Sequence, residues 1–116
     1  MGATAGAAQR VERLSDLGRL ADAEREARAA LAAEPQSPAL LAALSRVFLQ
    51  GRNYAEGLAA ADAAAAQAPD DERLHRLRAL HLSGLGFHRD AAAAAHAAVV
   101  LAPQEPLTAI TQARVL

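Results

Sequence analysis

Three prolines, Pro35, Pro69 and Pro103, stand 34 residues apart, and each closes an alanine-rich stretch: LAAEP, AAQAP and VLAP. A fixed period of that length among helix formers predicts stacked helix–turn–helix units, because one such unit cannot bury its apolar face alone. Small residues keep the same register. Ala23, Gly57 and Ala91 are again 34 apart, and Ala30, Ala64 and Ala98 follow each of them by seven residues. Seven residues are close to two helical turns, so both sets fall on one face and let paired helices approach closely.

The most complete unit runs from Pro38 to Pro69. Its Leu41, Leu44, Ser45 and Phe48 stand at the large, large, small and aromatic places of the pattern W-x2-L-G-x2-Y, and Gly57, Ala61 and Pro69 at A-x3-F and P. In this the sequence resembles a tetratricopeptide-repeat protein. The first unit offers Ala7, Arg10, Val11 and Leu14, then Gly18, Ala23, Ala27, Ala30 and Pro35. The third offers His75, Arg78, Ala79 and Leu82, then Gly86, Ala91, Ala95, Ala98 and Pro103. The resemblance covers most of the chain and implies an all-α fold, a right-handed α-solenoid of three repeats with a C-terminal capping helix. Repeats are expected over about 4–37, 38–71 and 72–105, and the capping helix over about 106–116. Residues 1–5 are expected to fray, leaving 6–116 as a single domain.

Composition agrees with helices. The 116 residues are 53% hydrophobic yet 3% aromatic, so alanine and leucine carry the packing. A net charge of -1 lacks the basic footprint of a nucleic-acid binder. With no cysteine, disulfides and thiolate metal sites are excluded. The start, MGATAGAA, has neither the basic nor the Leu-rich region of a secretory leader, and Gly6 stands where N-myristoylation wants Ser or Thr. No apolar run reaches the roughly 20 residues of a membrane span. A cytoplasmic protein without membrane insertion is expected.

Along the chain, a first helix reaches about Leu17 and stops at Gly18, and a second spans about Leu20 to Ala33. Ser37 is expected to cap the third helix, Pro38 to Gln50, with Pro38 at its first position. Asn53 is expected to cap the fourth, Tyr54 to Gln67, and Asp71 the fifth, Glu72 to Ser83. Gly84-Leu85-Gly86 reads as a turn whose glycines supply positive φ, with Phe87 packing near where Tyr54 packs one unit earlier. A sixth helix follows from about Arg89 to Leu101. In the last segment, LTAITQARVL, Leu107, Ile110 and Val115 are expected to cover the end of the third repeat, as a cap or as the first half of a fourth.

Catalysis is not expected. His75, His81, His88 and His96 lack the spacing and carboxylate partners of a metal or acid–base site. His75 reads as the filler of its unit's aromatic place, and the other three as surface or rim residues. Ser15, Ser37, Ser45 and Ser83 have capping, packing or surface explanations. No catalytic residue, metal or cofactor is assigned.

The resemblance implies a concave face lined by the first helix of each repeat. Carried over by register, its positions are Glu12, Ser15 and Asp16, then Ala42, Arg46, Leu49 and Gln50, then Arg73, Arg76, Leu80 and Ser83. Such a groove is acidic toward the N-terminal end and basic toward the other. Arg46, Arg73 and Arg76 are expected to converge on a protein or peptide segment bearing Asp, Glu or a C-terminal carboxylate. Some family members hold a chaperone's C-terminal carboxylate with Lys and Asn of the first repeat. Here Ala8 and Glu12 occupy those places. The leading expectation is a non-catalytic protein-interaction module. The alternatives are a self-assembling scaffold, joined through the C-terminal helix or end to end, and the docking domain of a larger protein.

Overall fold

The computed structural model describes the backbone of residues 2–116 and the side chains of residues 6–116, so the fraying expected for residues 1–5 falls outside the described side chains. Seven helices and no strand occur among the described residues: α1 (Gly2–Asp16), α2 (Leu20–Ala33), α3 (Pro38–Gln50), α4 (Tyr54–Gln67), α5 (Glu72–Gly84), α6 (His88–Leu101) and α7 (Pro106–Val115). The period is written into their starts. Helices α3, α5 and α7 begin 34 residues apart, as do α2, α4 and α6. The odd-numbered helices touch one another in series and form an inner layer; α2, α4 and α6 pack outside it.

Each joint repeats the same local chemistry. Ser37, Asp71 and Glu105 precede the inner helices α3, α5 and α7, and each side chain accepts a bond from a first-turn N–H: Leu40, Arg73 and Leu107 respectively. Orphan amides at a helix start are thereby satisfied. The outer helices start differently. Asn53, like Arg19 and Phe87 in the same place, makes no side-chain cap bond. Instead its backbone N–H reaches the Phe48 carbonyl at 2.8 Å, as Arg19 reaches Leu14 and Phe87 reaches Leu82. This tight turn needs one left-handed residue, which is Gly18 at φ 76°, Arg52 at 60° and Gly86 at 85°. Glycine adopts that conformation without the Cβ conflict that Arg52 bears. Gly84 has another purpose: it lies inside α5, and a Cβ there would come within 2.5 Å of the Tyr54 ring.

The core follows the repeat register. Val11, Leu44, Val47 and Phe48 pack with Ala23 and Ala27 between the first two units. Leu41, Leu74 and Leu77 pack against Ala61 and Ala64 in the second. Ala79 and Leu82 meet Ala91, Ala94 and Ala95 in the third. Phe48 is covered from outside by Arg28, whose guanidinium carbon lies 5.7 Å from the ring centroid. Arg28 also pairs with Glu24 at 2.9 Å and Glu56 at 3.6 Å, so it ties α2 to α4 and is more than a solvating residue.

Three expectations besides the Asn53 cap and the Gly84 turn are corrected here. Phe87 is exposed, because its register partner is Asn53 and His88 is the residue that matches Tyr54. Leu107 and Ile110 are 47% and 53% exposed and point away from the third unit, whose end is covered by Val115, Thr108 and Thr111. The threonine hydroxyls make this possible by donating to carbonyls: Thr108 to Ala102 and Glu105, Thr111 to Leu107.

The third correction is His81, which is fully buried at the joint of units two and three and not a rim residue. The Ser45 hydroxyl donates to the Gly57 carbonyl at 2.9 Å, so its oxygen is free to accept from His81 Nε2, also at 2.9 Å. The same Nε2 lies 3.2 Å from the Ser45 carbonyl, which only accepts. The hydrogen therefore sits on Nε2, and buried Nδ1 has no hydrogen-bond partner. The Tyr54 ring meets the imidazole edge-on at 6.2 Å. Burial holds the imidazole below its ordinary value of 6.5, partly opposed by the Ser45 carbonyl and Asp62. An unfolded chain then takes up this proton before the folded one does. Stability is complete above about pH 6.5 and falls as pH drops below it. Urea midpoints measured between about pH 7 and pH 5 should show this fall, and His81→Leu should flatten it.

Candidate partner-binding groove

The inner layer presents a concavity of about 410 Å³ between α1, α3 and α5. Of the expected positions, Glu12, Ala42, Arg46, Leu49, Arg73, Arg76 and Leu80 line it. Ser15, Asp16 and Gln50 line a second concavity of about 370 Å³, which shares Glu12, Arg46 and Leu49 with the first. Ser83 lies in a third, about 160 Å³, with Leu49, Leu80, Tyr54 and Arg114. Ser15 is itself buried, and its hydroxyl donates to Gln50 Oε1 at 2.8 Å. It braces α1 against α3 more than it faces outward.

The floor is apolar. Ala8, Ala39, Ala42, Leu49, Leu77 and Leu80 supply it, drawn from three helices. Charge stands at the rim, and each of the three guanidinium groups meets a carboxylate of this chain. Arg46 NH1 donates to Glu12 Oε1 at 2.9 Å. Arg73 donates through Nε and NH2 to the two Asp71 oxygens at 3.1 and 2.8 Å, and Arg76 through Nε and NH2 to Glu72 at 2.6 and 3.3 Å. The hydrogen bond from Arg73 holds the Asp71 carboxyl below its usual range against the opposing effect of burial, and the same bond raises Arg73. A guanidinium has donors on all three nitrogens. Among the described residues Arg46 bonds through NH1 alone, whereas Arg73 and Arg76 each commit two nitrogens.

Among the charged residues lining these concavities, Asp16 and Arg114 have no ion pair with any described residue. Arg114 was hidden from the expected set by its place beyond the third unit, although it stands two periods of 34 after Arg46. Ala8, named above at a ligand-holding place of the first repeat, stands one period before Ala42 and lines the same concavity. Asp71 was read as a cap alone, and it is both cap and rim.

The sequence pattern of the tetratricopeptide repeat matches residues 14–80, more than half of the chain. The chain belongs to the tetratricopeptide-repeat family. Solved tetratricopeptide-repeat domains share its fold over nearly its whole length. The domain of Arabidopsis OM64 is 16% identical, with 99% of this chain and 95% of that one covered at a TM-score of 0.89. The second domain of human RPAP3, solved with the HSP70 peptide SGPTIEEVD, is 16% identical over 92% and 89% at 0.85. The first domain of Spaghetti, bound to the HSP90 peptide SRMEEVD, is 12% identical over 97% and 89% at 0.88. No curated protein matches the sequence. As in the repeat pattern, the inner helices supply the concave face. No helix is long and apolar enough to cross a membrane, and no cluster of three or more metal-ligating side chains occurs among the described residues.

Proposed function

We propose that this chain is a non-catalytic, cytoplasmic interaction module. Its concave face holds an extended or helical segment of a partner protein through apolar side chains and one Asp, Glu or C-terminal carboxylate. The observation that carries this reading is the open floor of Ala42, Leu49 and Leu80 beside Arg46, a guanidinium that bonds the described residues through NH1 alone. An aliphatic side chain seated on that floor brings a neighbouring carboxylate within reach of Arg46 while Glu12 keeps its own bond. Two neighbours of the same fold are solved with acidic peptides, which supports the ligand class. With Ala8 and Glu12 at the first-repeat places, Arg46 is the anchor we assign, and Arg73 and Arg76 shape the rim.

Peptides selected from a random display library on the intact chain test this. Acidic residues should be enriched, and Arg46→Ala should weaken the selected peptides about tenfold, the effect of one partly exposed charge-assisted hydrogen bond. Arg89→Ala, on the exposed start of α6, should leave affinity unchanged. Selected peptides without acidic residues, binding both variants equally, would contradict the assignment.

A further inference from the structure

One register position runs across the whole concave face. Glu12, Arg46, Leu80 and Arg114 stand 34 residues apart in turn, one on each inner helix, and read acidic, basic, apolar, basic. Because α1, α3, α5 and α7 touch in series, these four side chains form a row across the groove. Arg46 pairs backward with Glu12 at 2.9 Å. Arg114 has Leu80 in that place, so the residue one period before it offers no carboxylate, and it has no ion pair with any described residue. The concavities along the row share walls: Arg46 and Leu49 belong to the first and second, Leu49 and Leu80 to the first and third. Arg114 lines the third with Tyr54 and Ser83, whose hydroxyls are further donors for a carboxylate.

We infer, on the footing that partners bind this face, that Arg114 is a second carboxylate anchor and that the segment it fits carries two acidic side chains on either side of an aliphatic one. The aliphatic side chain seats on Leu49 and Leu80, the wall common to the first and third concavities. One carboxylate then faces Arg46 and the other Arg114, each taking a charge-assisted hydrogen bond. Neighbouring packed helices lie about 8–10 Å apart, so the two steps from α3 to α7 span about 16–20 Å. An extended chain covers that distance in about five or six residues. The occupant is thus an internal stretch of a partner protein with Asp or Glu at both ends of that span. The charge of the row is its complement: basic at the two anchors, apolar between them.

Two random peptide libraries, one displayed with both ends fused to the carrier and one with a free C-terminus, are selected on the full chain and on Arg114→Ala. From the doubly fused library the wild type should return segments with two acidic residues about five or six apart and an aliphatic residue between them. Arg114→Ala should return segments that keep one acid and lose the other. For a segment selected on the wild type, Arg114→Ala should weaken binding about tenfold. Changing the far acid of that segment to its amide should weaken the wild type by the same factor and leave Arg114→Ala unaffected, a coupling that a merely structural role of Arg114 would not produce. Segments with a single acid, bound equally by the wild type and Arg114→Ala, overturn the second anchor and leave Arg46 standing; segments with no acid overturn both. A second carboxylate that depends on Arg114 only in the library with a free C-terminus assigns Arg114 to a chain end and overturns the internal stretch.

Discussion

Phe48→Ala is expected to lower the stability of the chain by about 3–5 kcal/mol, a large share of what a domain of this size possesses. The ring is 3% exposed and packs where units one and two meet. Its neighbours decide the size of the effect. Ala23, Ala27 and Ala43 have no rotamers with which to fill the space left behind, so the cavity persists. Arg28 would also lose the face over which its guanidinium lies. Arg28→Ala, by contrast, removes an exposed stack and two surface ion pairs and should cost about 1 kcal/mol or less. Urea denaturation of the two variants against the wild type measures both. Equal midpoints for Phe48→Ala and Arg28→Ala would mean that the core between the first two units is not built as described.

Gly57→Ala should destabilise by about 1–3 kcal/mol, although the same change inside an ordinary helix stabilises by about 1 kcal/mol. A Cβ at residue 57 would run into the His81 imidazole, with Nε2 at 2.5 Å and Nδ1 at 2.6 Å of the added atom and Cε1 closer still. The ring has nowhere to go: Nε2 is held by Ser45, and Tyr54 lies against its edge. The double variant Gly57→Ala/His81→Ala should be less destabilised than the two single effects sum to, since the added methyl enters the space the ring vacates. Strict additivity, or a stabilising Gly57→Ala, would show that the imidazole does not occupy the small-residue seam.

The period of 34 made most of this architecture legible. Pro35, Pro69 and Pro103 mark the ends of the outer helices, and the caps at Ser37 and Asp71 follow from ordinary helix chemistry. His81 was misplaced because its environment spans two units. It stands one period after Val47, a buried position, and becomes polar there only because Gly57 leaves room and Ser45 supplies partners. No reading of one repeat in isolation contains all three residues. The sequence register places these residues along the concavities, but it does not show which carboxylates the arginines pair with. Arg73 and Arg76 lie on the expected helix face, yet each turns back onto a carboxylate, Asp71 two residues and Glu72 four residues behind it, a choice of rotamer that spacing does not encode. Leu107 and Ile110 were expected to be covered because apolar residues usually are. The α7 helix buries its threonines instead, whose hydroxyls are satisfied by nearby carbonyls.

The central claim is that partners bind the concave face of the inner helices. The most direct test places a photo-crosslinking amino acid at Ala42, in the groove floor of α3, or at Ala59, exposed on the outer helix α4. Each chain is irradiated with the peptides selected on the wild type. Adducts should form from residue 42 and not from residue 59. Adducts from residue 59 alone, with none from residue 42 in a chain of unchanged helicity, would place recognition on the outer face and contradict the account.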